Sequence, residues 1–600
     1  MRELFYKPYL TEYKNPVGAV TVNENFTIKI RITERDDIEC VYFVLKKDGE
    51  EYAKYQMSAL GEFYCVEMPI TSTGLYFYHF EVRQFGGGYF NIFSNSDLDP
   101  EFHYGEDWLL LAKQEVYEQS NTLKGGLIYQ IMVDRFYYKK RNKTQKDAIY
   151  RDDWYGTPYF KPDEKGVVRN NDFFGGNLKG VIAKLDYLQS LGVTCIYLNP
   201  IFKAKSNHKY DTGDYSTIDP DYGTEKDLKE LIKKAKSRGM SIMLDGVFSH
   251  TGDDSLYFNK YGSYNSVGAY QSKDSPYAKW YTFNEFPNKY ECWWGINTLP
   301  NVVEVEDSYN EYINGENGII AKYTKMGIGG WRLDVADELP DEFLEKLTCR
   351  VKSINPKAIV LGEVWEDATT KVAYSVRRKY FWGKELESVT NYPFKADILN
   401  FLTYGDGKRL NRTILSIIDH YPAHVTSSLM NMIGTHDTVR ALTALSCDSV
   451  PKEKEERAER KISDRNDAIN KLKIAGILQY TLPGVPLIFY GDEAGLEGYE
   501  DPFNRRCYPW GKEDKNLINF FTVLGKIRKE NADILTDGNY IPVLAKDGLL
   551  IYERTNEKGK IKVIANAQNT QLDLANPIFD LVTKQEISSL APYTAVIIKE

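Results

Sequence analysis

The first part of the chain, up to roughly residue 118, alternates between apolar and polar positions with the period of a half-buried β-strand. The alternation is clearest in one run of apolar residues: Phe26, Ile28, Ile30 and Ile32. The dipeptide Asp48-Gly49 is typical of a tight hairpin turn, and the run from Tyr76 to Val82 indicates another strand. The pattern therefore predicts an N-terminal β-sandwich.

After about residue 122, apolar runs of strand length alternate with segments of helical period. One predicted helix ends at Gly192, and the apolar residues on one of its faces are Leu178, Val181, Ile182, Leu185 and Leu188. The next begins with the capping pair Thr224 and Asp227. The predicted buried strands cover residues 126–133, 193–199, 241–245, 328–334, 358–363, 386–391, 428–434 and 485–491. Eight such strands joined by helices favour a closed (β/α)8 barrel, a TIM barrel, over an open doubly wound sheet.

Two further segments complete the predicted domain plan. Residues 250–305 form a long, aromatic-rich connection between the third and fourth strands, and a connection of this length is usually functional or forms a subdomain. A helix over 516–529 followed by strands over 549–554 and 560–566 predicts a C-terminal β-domain. We therefore expect an α/β chain with three parts: a sandwich over 1–118 for binding, docking or dimerisation, a barrel over 119–515 with an insertion at about 250–305, and a β-domain over 516–600.

Composition excludes several classes of protein. The net charge of −9 argues against a nucleic-acid partner, which would require a basic excess. No apolar run is long enough for a membrane span or a signal peptide, so we expect no membrane partner and a cytoplasmic location, or secretion if a leader has been removed. The seven cysteines contain no C-x-x-C pair and are expected to be reduced thiols without zinc. Tyrosine is frequent, with 45 residues, which suits stacking on pyranose rings.

The polar residues at the ends of the predicted barrel strands form one set. Working residues of such a barrel lie at the carboxyl ends of the strands, so we expect them to meet at one mouth. The set consists of Asp245 and His250 after the third strand, Arg332 and Asp334 on the fourth, Glu363 after the fifth, and His436 and Asp437 after the seventh. Several carboxylates beside histidines and an arginine suit hydrolysis at a glycosidic carbon, which requires one ionised carboxylate and one protonated acid.

Arg332 and Asp334 share one face of the fourth strand, where unpaired buried charges would be costly. A carboxyl group beside an arginine has its pKa lowered, and one among other acids has its pKa raised. Asp334 is therefore the expected nucleophile and Glu363 the expected acid/base. We expect Asp437 and His436 to hold ring hydroxyls and to help keep Glu363 protonated. From the fourth strand alone, a structural salt bridge is an equally good interpretation.

These motifs resemble those of the α-amylase family of glycoside hydrolases, especially its neopullulanase, cyclomaltodextrinase and pullulanase-like members. Three segments resemble the nucleophile, acid/base and third-acid motifs of that family: 330–336, 362–365 and 435–437. Further likenesses are 207–215 after the second strand and 491–495 with 501–506 after the eighth. The resemblance covers the whole predicted layout: it implies that the insertion at about 250–305 is a domain B and that the sandwich over 1–118 is a carbohydrate-binding-module-like or dimerisation domain.

The resemblance implies a retaining mechanism through a β-glycosyl intermediate on Asp334, with α-glucans as the binding partners. It also implies the residues that bind substrate: Tyr210, His250, Arg332, His436, Asp245, Asp501, Arg505 and Trp365. Tyr210 would stack on the sugar at subsite −1, His250 and His436 would bond its hydroxyls, and Asp501 with Arg505 would bind one sugar further out. An alternative interpretation is that Tyr210 and Trp365 only pack in the protein. His208 could equally bind substrate or support the structure.

Two departures from the family pattern bear on calcium. Ser249 stands where the family commonly has a calcium-bound asparagine, and the lysine-rich segment 137–143 replaces an acidic and asparagine-rich calcium loop. Since Ca²⁺ requires several oxygen ligands, we expect no metal and no cofactor, although loops elsewhere could supply a calcium site. The resemblance also implies a homodimer formed through the N-terminal sandwich.

The expected function is a retaining α-glucan hydrolase that cleaves α-1,4 and, in some members, α-1,6 bonds of maltooligosaccharides, cyclodextrins, pullulan or branched dextrins. One alternative is a transglycosylase, because a sugar hydroxyl could capture the same intermediate. A second is a pullulanase-type debranching enzyme, which is disfavoured because the motif Tyr-Asn-Trp-Gly-Tyr-x-Pro is absent. A third is a non-catalytic glucan-binding protein, but Asp334, Glu363 and Asp437 are all present.

Overall fold

The centre of the molecule is a barrel of eight parallel strands. The structure, a computed structural model, describes residues 2–164 and 166–600. In chain order the barrel strands are Ile128–Ile131, Cys195–Leu198, Ser241–Gly246, Gly330–Leu333, Ile359–Gly362, Ser388–Val389, Met430–Met432 and Val485–Phe489. Each strand pairs with its neighbour in sequence except the sixth with the seventh, and the first also pairs with the eighth. A parallel bridge between Thr390 and Met430 brings the sixth and seventh strands together, which confirms the predicted barrel.

Helices surround the barrel, as the alternating pattern predicts. From the first strand to the end of the eighth they are Leu178–Ala183, Leu185–Ser190, Glu225–Lys236, Asp307–Asn314, Ile319–Lys325, Asp341–Ile354, Tyr392–Tyr404, Gly407–His420, Ala423–Thr426, Ala441–Leu445, Lys454–Glu459 and Arg465–Thr481. The capping pair is confirmed, because the Thr224 side chain accepts from the Asp227 amide and Asp227 accepts from the Thr224 amide. The single helix predicted from Leu178 to Gly192 is two helices, separated at Lys184.

The N-terminal part is a β-domain with its own core. Its strands are Leu4–Phe5, Lys14–Asn15, Val20–Thr21, Asn25–Ile32, Ile38–Lys47, Glu50–Leu60, Phe63–Pro69, Gly74–Gln84, Tyr89–Ser94, Pro100–Phe102 and Trp108–Lys113. Strand Glu50–Leu60 pairs with strands of both halves of the sheet, and the halves face each other across one core in which the Phe26 and Phe43 rings meet. The predicted turn is present: Asp48 and Gly49 have φ of 54° and 87° between two paired strands.

The connection between the third and fourth barrel strands is long and aromatic, as expected. Over 250–305 it contains two short strands, Phe283–Glu285 and Lys289–Tyr290, and two 3-10 turns, Ala278–Trp280 and Trp293–Gly295. The segment packs around buried aromatic side chains, among them Tyr257, Phe258, Trp280, Tyr281 and Tyr290. The sequence therefore builds a compact insertion beside the third strand, and its limits as a domain stay a prediction.

The C-terminal part begins with helices Lys515–Glu530 and Ala532–Asp537. Its strands are Asn539–Lys546, Leu549–Asn556, Gly559–Asn566, Leu572–Asp580, Gln585–Leu590 and Thr594–Lys599. The first three and the last form a four-stranded antiparallel sheet, and the other two form a hairpin. Throughout the described ranges, no helix has the length and apolar character needed to cross a membrane. All seven cysteines are free.

Candidate active site

Arg332 is the electrostatic centre of the barrel mouth. It lies on the fourth strand, is buried, and its Nη1 donates to Asp245 Oδ1 at 2.7 Å and to Asp334 Oδ1 at 2.8 Å. Its other terminal nitrogen, Nη2, lies 2.8 Å from Glu363 Oε2. Carboxylates from the third, fourth and fifth strands therefore meet on one guanidinium group, as expected for residues at adjacent strand ends.

The pKa of Asp334 depends on burial and on Glu363 as well as on Arg332. Burial raises the pKa of Asp334 well above its usual range, and the Glu363 charge adds to the rise, while Arg332 opposes it. Arg332 lowers the pKa of Asp334, as predicted, but burial outweighs the arginine, so the net shift is upward. Since Arg332 also contacts Glu363, its position does not distinguish nucleophile from acid, and those two roles stay predictions.

Glu363 is held by groups on both sides. Its Oε2 accepts from the Val335 amide at 2.9 Å, and its Oε1 accepts from Trp365 Nε1 at 3.0 Å. Val335 has φ of 37°, a left-handed backbone conformation that is unfavourable for a β-branched residue. This strained turn directly after Asp334 aims an amide at the partner carboxylate, and such strain is characteristic of functional sites.

Asp437 faces a different set of partners. Its Oδ2 lies 3.1 Å from His436 Nε2, and its Oδ1 lies 3.6 Å from Arg505 Nη2. Burial raises the pKa of Asp437, while the Arg505 and Arg332 charges oppose the rise. The Asp437 side chain is 31% exposed, compared with 9% for Asp334 and 4% for Glu363, so it faces the open part of the mouth.

Tyr210 and Asp245 form a hydrogen-bonded group beside Arg332. The Tyr210 hydroxyl donates to Asp245 Oδ2 at 2.9 Å, and the Tyr197 hydroxyl donates to the same oxygen at 2.6 Å. The Tyr210 ring is parallel to the His436 ring, with centroids 5.3 Å apart. Asp245 is buried and both of its oxygens accept from protein donors, so this structure gives it a positioning role, and its contact with sugar stays a prediction.

The two histidines are buried and are held neutral at pH 7. Burial lowers the pKa of His250 to about 4 and lowers the pKa of His436 well below its usual value, with Arg332 and Arg505 contributing to the second shift. Gln130 Nε2 donates to His436 Nδ1 at 2.8 Å, which leaves the ring proton on Nε2, the nitrogen beside Asp437. His250 Nε2 lies 3.1 Å from the Tyr210 carbonyl oxygen.

The remaining predicted site residues also lie at this mouth. Arg505 Nη1 contacts Asp501 Oδ1 at 3.1 Å, which places the pair on the Asp437 side. Trp365 is 46% exposed, and one face of its ring stacks on Tyr392 at 3.8 Å between centroids. His208 accepts from the Tyr210 amide, and burial lowers its pKa to about 3, which favours the scaffold reading.

Four residues that support this site were not predicted from the sequence. Tyr197 bonds Asp245, Asn199 Nδ2 donates to the Tyr210 hydroxyl at 2.9 Å, Gln130 bonds His436, and Tyr392 stacks on Trp365. The first three alternate with apolar residues in otherwise apolar strands, which was the available signal. A polar side chain in a buried strand requires a partner. Tyr392 carried no such signal.

The residues expected to bear on calcium make protein contacts. Ser249 Oγ lies 3.1 Å from His250 Nδ1, and Arg141 in the lysine-rich segment pairs with Asp152 at 2.7 Å. In residues 2–164 and 166–600, no group of three or more His, Cys, Asp or Glu side chains is arranged to hold a metal ion. The expectation that the protein needs no metal or cofactor stays a prediction.

Comparisons with known proteins agree with this geometry. The alpha amylase catalytic domain model matches residues 130–534. The chain is 34% identical to an amylopullulanase of Thermoanaerobacterium saccharolyticum, over 91% of this chain and 46% of that protein. It is 31% identical to a maltogenic alpha-amylase of Bacillus acidopullulyticus, over 76% of this chain and 72% of that protein. The chain spans less than half the length of the amylopullulanases it matches.

A solved structure shares the whole architecture. The type III pullulan hydrolase from Thermococcus kodakarensis covers 100% of this chain and is itself covered over 100% of its length, with a TM-score of 0.68 and 25% identity. The family model covers the barrel from its first strand onwards and includes Asp334, Glu363 and Asp437. Because that match spans more than half of the sequence, the chain belongs to the α-amylase family of glycoside hydrolases.

Proposed function

We propose that the protein is a retaining hydrolase of α-1,4-linked glucans that acts on maltooligosaccharides, cyclodextrins, pullulan and branched dextrins. The observation that carries the proposal is the pair Asp334 and Glu363, which occupy different terminal nitrogens of one buried guanidinium. Adjacent carboxyl groups at one glycosidic bond are the requirement of a double displacement. The relatives named amylopullulanase and maltogenic alpha-amylase support glucans as the substrate class.

The reaction proceeds in two steps. Asp334 attacks the anomeric carbon from one side while Glu363 gives its proton to the leaving glycosidic oxygen, so the C–O bond breaks and a glycosyl ester forms on Asp334. Glu363, now ionised, removes a proton from water, and the water oxygen attacks the anomeric carbon and releases Asp334. Asp437, His436 and Tyr210 would contact the sugar ring and hold it in place during both steps.

Product analysis on pullulan tests the proposal and identifies the bond. Panose or isopanose as the main product means cleavage of α-1,4 bonds, which we expect, whereas maltotriose means cleavage of α-1,6 bonds. NMR of the first product should show the α-anomer, since double displacement retains configuration. A β-anomer would exclude the retaining mechanism, and no reducing ends from any of the four substrate groups would exclude a glucan hydrolase.

We propose that the folded protein needs no structural calcium, on the basis of Ser249 and of the lysine-rich segment 137–143. Ca²⁺ that bound only the folded state would raise the melting temperature, and a chelator would lower it. We expect the melting temperature to be unchanged by the chelator EDTA. A drop of several degrees that added Ca²⁺ restores would show a calcium site elsewhere in the chain.

Two proposals concern the protein as a whole. We infer a homodimer through the N-terminal β-domain, which rests on the family resemblance alone, and light scattering would measure its mass. We also propose a reducing, cytoplasmic location, which is supported by seven free cysteines, two of them buried at Cys195 and Cys507. Cell fractionation followed by thiol titration of the isolated protein would test the location and the redox state together.

A further inference from the structure

Two strongly exposed aromatic side chains at the barrel mouth are bonded to one carboxylate. Trp294 is 78% exposed and Tyr374 is 70% exposed. Trp294 Nε1 donates to Glu338 Oε1 at 3.3 Å, and the Tyr374 hydroxyl donates to the same oxygen at 2.5 Å. Trp294 follows the third barrel strand, Glu338 the fourth and Tyr374 the fifth. Three separate connections therefore converge on one carboxylate oxygen.

The backbone at both aromatic residues is strained. Trp294 has φ of 50° and Tyr374 has φ of 51°, in the left-handed region that bulky side chains rarely adopt. Tyr374 and Ser375, which also has positive φ, form the turn of a hairpin with strands Val372–Ala373 and Val376–Arg377. Such turns favour Asn-Gly, so tyrosine is an unfavourable choice there. Rings that are this exposed gain little from burial, and a strained backbone that presents them indicates a function.

The pair lies on one side of the reacting carboxylates. Glu338 ends a 3-10 turn after Asp334, and its amide donates to the Val335 carbonyl, while the Val335 amide donates to Glu363. Tyr210, Asp437 and Arg505, which are proposed to hold the sugar that is attacked, come from the connections after the second, seventh and eighth strands. The third, fourth and fifth strands are neighbours in the barrel, so Trp294, Glu338 and Tyr374 share the part of the mouth that carries Glu363, the proposed acid for the leaving oxygen.

We propose that Trp294 and Tyr374 form an aromatic platform that stacks on the glucose units beyond the first one of the leaving-group portion of the glucan, and that Glu338 fixes both rings for this purpose. The inference rests on the proposed function, since it requires Glu363 to face the leaving group. The flat faces of pyranose rings are largely C–H and pack on aromatic rings. A tether that orders the rings before binding reduces the entropy lost when the substrate binds.

The test compares substrates that do and do not extend past the first leaving-group position. We would measure kcat/KM of Trp294→Ala, Tyr374→Ala and the double variant on maltoheptaose and on 4-nitrophenyl α-maltoside. Each single variant should lose about tenfold or more on maltoheptaose and less than about twofold on the aryl maltoside, because truncation of a central aromatic contact typically has such an effect. Tyr404→Ala, at the C-terminal end of helix Tyr392–Tyr404 with 79% exposure, is the matched control and should lose nothing on either substrate.

Tyr374→Phe tests the tether separately, because it keeps the ring and removes the hydroxyl that bonds Glu338. We expect an increase in KM for maltoheptaose with kcat nearly unchanged. Equal losses of kcat/KM on both substrates, or unchanged kcat/KM on both, would overturn the proposed aromatic platform. If the unmodified protein hydrolyses neither substrate, the proposed function itself fails, and the two failures are therefore distinguishable.

Discussion

The nucleophile role of Asp334 depends on one buried oxygen atom, and a single substitution tests it. Asp334→Asn keeps the size of the side chain but removes the oxygen that would form the glycosyl ester. We expect kcat on maltoheptaose to fall by about 10³-fold or more, as loss of a covalent nucleophile does. Calorimetric titration with the same oligosaccharide should show binding within a few-fold of the unmodified protein.

Asp307→Asn is the control for that substitution, because Asp307 is an exposed carboxylate at the start of helix Asp307–Asn314. Its activity should be unchanged. A rate close to that of the unmodified protein in Asp334→Asn would refute the role of Asp334. Equal losses in both variants would point to a general loss of folded protein instead.

The acid role of Glu363 predicts a dependence on the leaving group. Glu363→Gln should slow maltoheptaose hydrolysis by about 10²-fold or more, because a sugar alkoxide needs a proton to leave. The first turnover of 4-nitrophenyl α-maltoside, seen as a burst of nitrophenol, should be far less affected, since nitrophenolate leaves unprotonated. Azide should then raise steady turnover, as it attacks the glycosyl ester without a base. Equal losses on both substrates and no response to azide would exclude the acid/base role.

The buried histidines predict how stability depends on pH. His250 has a pKa of about 4 in the folded protein because burial disfavours its charged form, and an unfolded chain restores the usual value near 6.5. The unfolded state therefore binds more protons between these values, so stability is present above pH 6.5 and is lost as the pH falls towards 4. From pH 7 to pH 5 this single group should reduce the unfolding free energy by about 2 kcal/mol.

Urea unfolding at pH 7 and pH 5, with and without His250→Gln, would measure that share. The other buried histidines act equally in both proteins, so the difference between the two pH dependences isolates His250. A variant with the same pH dependence as the unmodified protein would show that His250 titrates normally.

At the residue scale, the sequence predicted which side chains meet but not how they share their contacts. Asp334 and Glu363 could be placed at one mouth because each follows a barrel strand. That Arg332 bonds both of them depends on the length and rotamer of its side chain, which no spacing encodes. The same holds for Trp294 and Tyr374, whose common partner Glu338 is fixed only when three connections fold together.

At the element scale, helix Glu225–Lys236 allows a test of the capping box. The Thr224 hydroxyl caps the Asp227 amide, and the Asp227 side chain accepts from the Thr224 amide at 2.9 Å. Thr224→Ala removes the cap and should reduce the unfolding free energy by about 1 kcal/mol, whereas Thr224→Ser, which keeps the hydroxyl, should change it little. Urea unfolding followed by circular dichroism would measure both. Equal stability of the two variants would show that the cap contributes nothing measurable.

Helices and strands were predictable where the apolar residues kept one helical or strand period. A break inside an element was not predictable when the same period continued on both sides of it. The fourth strand was predicted over 328–334 and is Gly330–Leu333, because Ile328 and Gly329 extend the apolar run before the first ladder pair and Asp334 follows the last pair. The two helices around Lys184 bury the same face, so periodicity alone gave one helix. Between Gly362 and Ser388 the described chain contains a hairpin and no α-helix, a departure from regular alternation that carries Tyr374 to the mouth.

At the scale of the whole molecule, helix Gly407–His420 joins the barrel to both flanking domains. Arg412 pairs with Asp97 of the N-terminal domain at 3.0 Å, and the Tyr540 hydroxyl of the C-terminal domain donates to Asn411 at 2.9 Å. Lys14 Nζ bonds Asp419 Oδ1 at 2.6 Å, and both of these side chains are fully buried. The helix therefore fixes the N-terminal domain through one exposed and one buried ion pair.

These two ion pairs should differ sharply in their effect on stability. Lys14→Met would leave the Asp419 carboxylate buried without its partner, which typically costs about 3–5 kcal/mol, so the melting temperature should fall by several degrees. The double variant Lys14→Met with Asp419→Leu removes both charges and should recover most of that loss, because apolar side chains often replace a buried pair without penalty. Arg412→Met breaks the exposed pair, whose side chains are 42% and 53% exposed, and should cost less than about 1 kcal/mol. Calorimetric melting of the three variants decides the matter: if the single and double changes at Lys14 are equally destabilising, the loss comes from packing between the domains and not from an unpaired charge.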